Sequence, residues 1–464
     1  MEQFESAVRP QPNPSASICG SARRPDNAPR DVREILHFFI DALAVYGGLA
    51  ALVKRRAFLI GWLAVAAGLL AIFAQHAWHT IAQSLATPPL WDFVCFWLYG
   101  RVADVTHLPY DPHAMHRIAL ALPPYGTGFA REVLDVGFIY PPPTIALFAP
   151  LGLFQTPHTA MPFWYAVLLP ALCLEIVLLW RRFLYGYGWQ GLVSAALLVL
   201  LFPTTVTVLG IGQTLFIASV FLLLYLNDAS SLRRGVWLGF AAIVKPYMIV
   251  IWLYPVLRRD WRVLSAAMMT VAGVTAAVLP LIGWRSIVSF LTDPPSRRLP
   301  DWMLTDDSNQ SLLAWLVRST HRQAHVTAAV HMPIYLFAVI ALVAITAWCI
   351  VRIGEADRDY CIVILVPLAL LIYPATGWHY APLLLVPLCY LWSRKNAIPY
   401  GAICASAATI AVFMLAETGS AAMFASLLMW ILLVGVATYI RTQYEGRAAT
   451  PESVGWQQTL EQPN

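Results

Sequence analysis

Long apolar runs, separated by short polar or basic segments, extend over residues 57–440 of the chain. A hydrocarbon core about 30 Å thick requires about 20 consecutive apolar residues in a helix, and only helices or closed barrels satisfy their backbone groups there. The pattern therefore predicts an all-α polytopic membrane protein. The predicted spans are residues 57–78, 159–180, 190–202, 213–226, 263–283, 333–351, 360–373, 381–392, 399–416 and 421–440.

The composition agrees with this class and argues against a soluble domain, because 59% of the residues are hydrophobic and only 12% are charged. The formal net charge of +5 comes from basic clusters at the ends of the apolar runs, so it indicates membrane orientation and no nucleic-acid partner. The seven cysteines are scattered and show no CxxC or Cys/His spacing. We therefore expect neither a disulfide framework nor a thiolate metal site.

Basic residues near helix ends stay on the cytoplasmic side of a membrane, and they predict the topology. The basic clusters are residues 54–56, 181–182, 233–234, 258–262, 352–358, 394–395 and 441–447. Placing all of them inside predicts a multi-pass protein of the plasma (inner) membrane with both termini in the cytoplasm. The polar segments 79–158, 209–213, 284–331 and 376–380 then face the outside, or periplasm, and the first of them is a long outer loop.

Three segments flank the predicted transmembrane bundle of residues 57–440. Residues 1–34 are rich in Pro, Ser, Ala and Arg and contain no apolar signal region, so they predict a disordered cytoplasmic tail. Residues 35–53 are apolar but carry His37 and Asp41, and the short basic link 54–56 favours an interfacial helix over a true span. Residues 441–464 are expected to form a second cytoplasmic tail.

Lys245 and Pro246 interrupt the apolar segment 235–257, which has arginines on both sides. Proline breaks a helix, and broken helices within a membrane line polar cavities. Two half-length helices that meet at Lys245 explain the proline and the arginines together. A single kinked span whose lysine side chain reaches toward water is the alternative.

Asp92 follows the first predicted span, at the predicted outer mouth of the bundle. A carboxylate at this position is costly unless it is solvated or paired, so by default it marks a functional site. The alternative is an ordinary interfacial acid beside Trp91 and Trp97.

Short motifs follow one another along the rest of the chain. They are Asp92-Phe93 with Phe96-Trp97 and Gly100-Arg101; Pro109-Tyr110-Asp111-Pro112; Tyr140-Pro141-Pro142-Pro143; Gly212-Gln213; Lys245-Pro246 with Arg258 and Arg262; Asn309-Gln310-Ser311 with Arg318; and the segment from Pro374 to Tyr380. Their order and spacing resemble glycosyltransferase family 87, and the resemblance covers residues 57–395.

The resemblance implies an integral-membrane transferase of the GT-C type, which is a transmembrane helix bundle with broken or re-entrant helices. Its activity would be the transfer of a hexose, typically mannose, from a polyprenyl-phosphate carrier to a glycolipid or glycan acceptor. In this family an acid in the first outer loop serves as the catalytic base. That acid corresponds to Asp92, and Asp104 and Asp111 are the alternatives, although Asp111 before Pro112 also fits a turn.

The chemistry of an inverting displacement requires one base for the acceptor hydroxyl and cations or hydrogen-bond donors for the leaving phosphate. The candidates for substrate contacts are Arg101, Asp111, Tyr140, Gln213, Lys245, Asn309, Gln310, Arg318 and His379. Other interpretations exist for three of them: Arg101 fits a solvated loop cation, His379 an interfacial aromatic belt, and Tyr140 a stiff loop edge.

No cofactor is expected, and the sequence leaves a metal requirement open. Asp357-Arg358-Asp359 is a DxD pattern, which elsewhere holds a metal for nucleotide-sugar donors. It falls in a predicted inner loop, and the chain has no Rossmann-like domain, so we predict solvated charge at a helix end. Asp92, Asp111 and His379 have residue types that could share a metal ion.

A lipid-linked-sugar flippase or transporter is the alternative function, because it would also pair membrane cations with a polyprenyl phosphate. Such a protein should show internal repeats and a site near the midplane, and the sequence shows no convincing repeat. A purely structural scaffold would leave the ordered polar motifs without a role. The sequence therefore favours a transferase.

Overall fold

The computed structural model describes residues 56–86, 91–122, 138–292, 301–320, 327–353, 357–394 and 421–448. These residues are almost entirely helical and form no strand, although Asn309 and Gly377 make one isolated antiparallel bridge. The predicted all-α fold is confirmed. The chain divides into two compact units, residues 1–65 and 66–464, and the described part of the first unit is the beginning of the first helix.

The longer helices are numbered here in chain order. They are α1 (Arg56–Ala86), α2 (Trp91–Thr106), α3 (Pro112–Leu120), α4 (Ile145–Gly152), α5 (Pro157–Leu179), α6 (Gly188–Leu200), α7 (Pro203–Ile211), α8 (Leu215–Asn227), α9 (Ser231–Val244), α10 (Leu253–Leu257), α11 (Trp261–Thr292), α12 (Asp301–Thr305), α13 (Leu312–Thr320), α14 (Thr327–Ile353), α15 (Arg358–Val363), α16 (Leu365–Ile372), α17 (Leu385–Ser393) and α18 (Ala421–Ala448).

Four helical stretches in the described residues are long and apolar enough to cross a membrane. They are Leu63–Ala86, Pro157–Leu200, Trp261–Thr292 and His331–Ile353. The bent pair α7 and α8 adds a fifth if it is counted as one span. Each stretch overlaps a predicted span, and the prediction of a multi-pass membrane protein is confirmed.

The stretch Pro157–Leu200 contains two predicted spans joined by a tightly wound link. α5 continues into a π-helical turn, Trp180–Leu184, and a 3₁₀ turn, Tyr185–Tyr187, before α6 begins. Trp180 Nε1 donates a hydrogen bond of 2.8 Å to the Gly188 carbonyl, which closes the link.

α7 and α8 meet at Gly212 with a change of direction of 116°. Gly212 has a φ of +69°, in the left-handed region that glycine adopts at least cost. A Cβ atom at this position would lie 2.8 Å from the Cβ of Phe93 on α2. The turn therefore requires glycine, and it places Gln213 next to α2.

The interruption at Lys245 is a break rather than a kink. α9 ends at Val244, the backbone of Lys245 is extended with φ −137° and ψ 107°, and a 3₁₀ helix, Pro246–Trp252, leads into α10. Thr144 Oγ1 donates a 2.6 Å hydrogen bond to the Ile243 carbonyl in the last turn of α9, which satisfies part of the interrupted backbone. The prediction of two half-length helices is confirmed here.

Helices also occupy much of the predicted outer loop 79–158. α1 continues to Ala86, and α2, α3 and α4 follow in residues 91–152. The stacked rings of Phe96 on α2 and Phe148 on α4 lie 4.5 Å apart and hold these two helices together. Hydropathy did not reveal α2, because it is too short for a span and carries Arg101 and Asp104.

Asp357 and Asp359, predicted to be solvated, are paired instead. Asp357 caps α15 through a 3.0 Å bond from the Tyr360 amide, and its other oxygen accepts from Arg394 at 2.8 Å and from the Tyr390 hydroxyl at 2.9 Å. Asp359 accepts two hydrogen bonds from Arg182. The predicted helix-end position is correct, but solvation is wrong, because hydropathy does not show which distant arginine reaches a helix end.

The described helices have two chemically different ends. Toward the start of α5, Trp164 Nε1 donates a 2.7 Å hydrogen bond to the carbonyl of Gly212, in the turn that places Gln213 next to α2, the helix of Asp92. Just beyond the other end of α5, Arg182 pairs with Asp359. Residues 164–179 correspond to about 22 Å of helix. We call these the Asp92 end and the arginine end.

Some predicted segment boundaries differ from the helices. α18 extends to Ala448, so residues 441–448 of the predicted tail continue a helix. The predicted segments 1–34, 35–53 and 399–416 and residues 449–464 lie outside the described residues.

Candidate active site

Asp92 lies at the start of a continuous chain of polar contacts. Gln213 Nε2 donates a hydrogen bond of 2.9 Å to Asp92 Oδ2, and Gln213 Oε1 accepts one of 2.6 Å from Lys245 Nζ. Asp92 is on the first turn of α2, Gln213 follows the Gly212 turn, and Lys245 occupies the break after α9. Two interrupted helices thus deliver an amide and an ammonium to one carboxylate.

Two tyrosines complete the surroundings of Lys245. Its Nζ donates to the hydroxyl oxygens of Tyr140 at 3.2 Å and Tyr380 at 3.1 Å. An ammonium has three hydrogens, so Gln213, Tyr140 and Tyr380 together use all of its donors. Because each tyrosine oxygen accepts from Lys245, the hydroxyl proton of each tyrosine is left to donate elsewhere. We call Asp92, Tyr140, Gln213, Lys245 and Tyr380 the Asp92 cluster.

The Lys245 ammonium is buried, so its charge is not solvated by bulk water. Its side chain is 1% exposed, and its Nζ also lies 4.4 Å from the ring centroid of Tyr380, where the ring face attracts a cation. A buried cation without a paired carboxylate in contact is costly, and three neutral oxygens only partly replace water. The arrangement therefore favours an anionic ligand beside Lys245.

His379 lies against this cluster with an unused ring nitrogen. Its ring packs edge-on to Tyr380 with centroids 4.4 Å apart, and its buried Nε2 has no hydrogen-bond partner in the described structure. A Cβ atom at Gly377 would lie 2.3 Å from His379 Cε1, so the adjacent glycine makes room for the ring. His379 interacts electrostatically with both Asp92 and Lys245.

Tyr140 is fixed by its own backbone. The Tyr110 hydroxyl donates a 2.8 Å hydrogen bond to the Tyr140 carbonyl, and the Tyr140 ring packs on Phe96 and Phe148. The prolines after Tyr140 lead into a 3₁₀ turn, Pro142–Thr144, that is anchored to α9 through Thr144. Tyr140 is therefore a member of the cluster and not only a stiff loop edge.

Asn309 and Gln310 hold the segment before His379 in place. Asn309 Nδ2 donates to the carbonyls of Met303 at 2.8 Å and Pro374 at 2.9 Å, and the backbone N–H of Gln310 donates to the Thr376 carbonyl at 2.5 Å. Gln310 Nε2 donates to the Asp307 carbonyl at 2.7 Å. Both side chains are buried and engaged with backbone groups, so the structure gives them a positioning role; substrate contact stays a prediction.

Arg318 supports the same loop. Its Nη1 donates 2.8 Å hydrogen bonds to the carbonyls of Asp306 and Asn309, and its Nε lies 3.8 Å from Asp307 Oδ1. The two carbonyl hydrogen bonds secure the loop 306–309 against α13, and the pair with the exposed Asp307 carboxylate adds little. A direct role of Arg318 with substrate stays a prediction.

Arg101 and Asp111 lie apart from the Asp92 cluster. Arg101 is nine residues beyond Asp92 on α2, about 13 Å along the axis, and contacts Asp104 at 3.2 Å and the Gly152 carbonyl at 3.1 Å. Asp111 caps α3 by accepting from the His113 amide at 2.9 Å. No hydrogen bond in the described structure joins either residue to the cluster, and their predicted substrate contacts are not tested by it.

Sequence reasoning did not assign several residues that the structure singles out. Tyr380 lies in the motif from Pro374 to Tyr380 but has no predicted role there, and only the fold shows that its hydroxyl accepts a hydrogen bond from Lys245. Glu175, 1% exposed in α5, accepts a 2.7 Å hydrogen bond from Ser219 on α8, and its second oxygen has no partner in the described residues. An acid inside the predicted span 159–180 was the signal that could have marked it.

No group of three or more His, Cys, Asp or Glu side chains suited to a metal ion occurs among the described residues. Asp92, Asp111 and His379 are thus not gathered in the way that their residue types allowed.

These features define a polytopic helical membrane protein with an acid, an amide and a buried ammonium gathered at two helix breaks. The model of glycosyltransferase family 87 matches residues 138–374, slightly more than half of the chain. The chain belongs to glycosyltransferase family 87. Tyr140, Gln213, Lys245, Asn309, Gln310 and Arg318 lie within the matched residues, whereas Asp92, Arg101, Asp111 and His379 lie outside them.

Two curated relatives come from Mycobacterium tuberculosis, strains CDC 1551 / Oshkosh and ATCC 25618 / H37Rv, and each is described as an alpha-(1->3)-arabinofuranosyltransferase. Each is 28% identical to this chain over 191 residues, which is 39% of this chain and 42% of the relative. The match therefore spans less than half the length of either relative. No solved structure matches the chain.

Proposed function

We propose that this glycosyltransferase moves a hexose, mannose being the first choice, from a polyprenyl-phosphate carrier to a glycolipid or glycan acceptor. The observation that supports this best is the chain of contacts from Asp92 through Gln213 to the buried Lys245. In it, one amide side chain links a proton acceptor to a buried cation. Membership of a glycosyltransferase family favours this activity over a lipid-linked-sugar transporter.

Asp92 is the proposed general base. Its Oδ2 accepts from Gln213, and its Oδ1 accepts no hydrogen bond from the described residues, so Oδ1 is available for the proton of the acceptor hydroxyl. As the acceptor oxygen attacks the anomeric carbon, the bond from that carbon to the phosphate oxygen breaks. The acceptor proton goes to Asp92, and the electron pair of the broken bond stays on the phosphate. A single displacement of this kind inverts the anomeric centre.

Tyr140 and Tyr380 are the proposed hydrogen-bond donors to the phosphate, and the Lys245 ammonium next to them is the proposed positive charge. The ammonium polarises the hydroxyls of Tyr140 and Tyr380, whose free protons can donate to the phosphate as its charge grows. His379 Nε2 is a further group without a protein partner at this position. Because these groups are fixed before the reaction, little reorganisation is needed in the transition state.

Arabinofuranose is the second candidate sugar. The two mycobacterial relatives are described as arabinofuranosyltransferases, and their similarity covers 39% of this chain. A pentofuranose on the same lipid phosphate would need the same base and the same phosphate contacts. The experiment below therefore compares mannose with arabinofuranose as the transferred sugar.

The deciding experiment uses the purified full chain in nanodiscs with radiolabelled mannose or arabinofuranose, each supplied on a polyprenyl phosphate, and mannose also supplied on a nucleotide. We expect transfer from a lipid phosphate and none from the nucleotide. Efficient transfer from the nucleotide without a polyprenyl carrier would contradict the proposal. Asp92→Asn protein is the inactive control, and preference between the lipid donors identifies the sugar.

We also propose that the Asp92 end faces the outside, or periplasm, of the plasma membrane. The support is the arginine content of the other end, which contains Arg182, Arg234, Arg358 and Arg394. Single cysteines at Asp307 and Arg233 in a Cys-free chain test the orientation. Asp307→Cys should react with an impermeant maleimide from outside intact cells and Arg233→Cys should not; the reverse pattern would invert the proposed topology.

A further inference from the structure

We infer that Gln213 is a positioning residue that keeps the Lys245 ammonium out of direct contact with the Asp92 carboxylate, so that no cation occupies the place of the acceptor hydroxyl. The inference rests on the proposed function, in which Asp92 is the base. Gln213 is 2% exposed, and its amide stands between the two charges, 2.9 Å from Asp92 Oδ2 and 2.6 Å from Lys245 Nζ.

The contacts of the amide fix its orientation. Gln213 Oε1 accepts from Lys245 Nζ and also from the backbone amide of Thr214 at 3.0 Å. The opposite orientation would place the NH₂ group against two donors and the carbonyl oxygen against a carboxylate, which no hydrogen bond could compensate. Gln213 therefore presents a donor to Asp92 and an acceptor to Lys245 at the same time.

The backbone around Gln213 is held equally firmly. The Gly212 carbonyl accepts from Trp164 Nε1 at 2.7 Å, and the Gln213 amide donates to the Val208 carbonyl at 2.9 Å. Since the Gly212 turn requires its positive φ, Gln213 has no freedom to slide along α8. The backbone thus holds the Gln213 amide in place between Asp92 and Lys245.

The physical reason for such a spacer lies in how a nearby cation affects a carboxylate. An ammonium in contact favours the charged carboxylate, which then accepts a proton less readily. The amide instead gives Asp92 one neutral hydrogen bond and leaves Oδ1 for the substrate. The titratable groups that face Asp92 from neighbouring elements are Tyr140, Lys245, His379 and Tyr380, and those on its own helix are Cys95 and Tyr99.

The test is the pH profile of kcat for wild type, Gln213→Met and Gln213→Glu in nanodiscs, with donor and acceptor saturating. Gln213→Met keeps the volume but removes the amide, so Lys245 can close on Asp92, and the acidic limb should move to lower pH by about one unit. Gln213→Glu places a second negative charge beside Asp92, and the limb should move to higher pH by about one unit. A merely structural role would lower kcat without moving the limb in opposite directions.

Asp307→Asn is the matched control, because it removes an acid that is 82% exposed outside the cluster, and its limb should equal that of wild type. An unmoved limb in folded, active Gln213 variants would overturn the role of Gln213 and leave the proposed function standing. Absence of lipid-dependent transfer in wild type would instead remove the proposed function and this inference together. If one variant does not fold by size exclusion, the other decides alone, since each has its own expected direction.

Discussion

The two ends of the bundle handle opposite charges in different ways. At the arginine end the charges touch: Arg394 lies 2.8 Å from Asp357, and Arg234 lies 3.0 Å from Asp260. At the Asp92 end a neutral amide separates Asp92 from Lys245. Directly paired charges satisfy one another and serve the fold, whereas separated charges keep unmet interactions that a substrate can satisfy. An acid in direct contact with an arginine is therefore expected to stabilise the fold, whereas an acid separated from its cation is a candidate for catalysis.

Replacement of the proposed base, Asp92, should have the largest effect on this comparison. Asp92→Asn keeps the size of the side chain but cannot take a proton, so we expect transfer to fall by at least ~10²-fold in a folded protein. The measurement is initial rate with the lipid-phosphate donor, corrected for folded protein. Near-normal turnover would move the base to Asp104 or Asp111, and Asp104→Asn and Asp111→Asn are the next variants to assay.

Loss of the buried cation should come second. Lys245→Met removes the ammonium while keeping most of the volume, so we expect transfer to fall about 10²-fold, the scale of one lost transition-state donor. Donor use should suffer more than acceptor use, which separate titrations of the two substrates can measure. Arg352→Met, a change at an exposed arginine near the end of α14, is the control. Equal losses for donor and acceptor would argue against a phosphate contact.

The arginine end should respond in stability instead. Asp357→Ala removes the cap of α15 and the buried acceptor of Arg394 and Tyr390, at a cost of about 2–3 kcal/mol. We expect a lower melting temperature in detergent but a transfer rate per folded molecule close to wild type. The exposed Asp307→Ala change should leave the melting temperature unchanged. A specific loss of turnover in stable Asp357→Ala protein would contradict the division between the two ends.

The smallest effect concerns Asp228, in the link between α8 and α9. Hydrogen bonds from Arg233 hold the pKa of this carboxyl at about 2, below its usual value. A lowered pKa stabilises the folded state above about pH 4, and this contribution is lost as the pH falls from about 4 to 2. Arg233→Met should therefore lower the melting temperature by about 1–2 °C at neutral pH and by less in acid. An equal difference at all pH values would exclude this pairing as its cause.

Much of the fold could be predicted from the sequence, because the length of an apolar run indicates a membrane span and Pro246 indicates the break at Lys245. The short helices α2 and α7 could not be predicted in this way, because they are shorter than a span and carry polar residues. The site was predicted as residue types in order, with Asp92, Gln213 and Lys245 named. The hydrogen bonds that link Asp92 to Lys245 through Gln213 could not be predicted from the sequence, since they depend on the left-handed turn at Gly212. The contact of Lys245 with Tyr380 could not be predicted either, because it follows from long-range packing.

Interrupted helices have a further consequence for how the molecule opens. The breaks at Gly212 and Lys245 interrupt the backbone hydrogen bonding between α7 and α8 and between α9 and α10, and backbone at such an interruption opens at lower free energy than backbone in a helix whose ends are held by tertiary contacts. Amide hydrogen exchange should then be fastest where these pieces meet and slowest around α15 and α17, where charged contacts bind the helix ends. Under the proposed function, a lipid-borne substrate would enter through local opening at the Asp92 end, while the arginine end stays closed and preserves the fold.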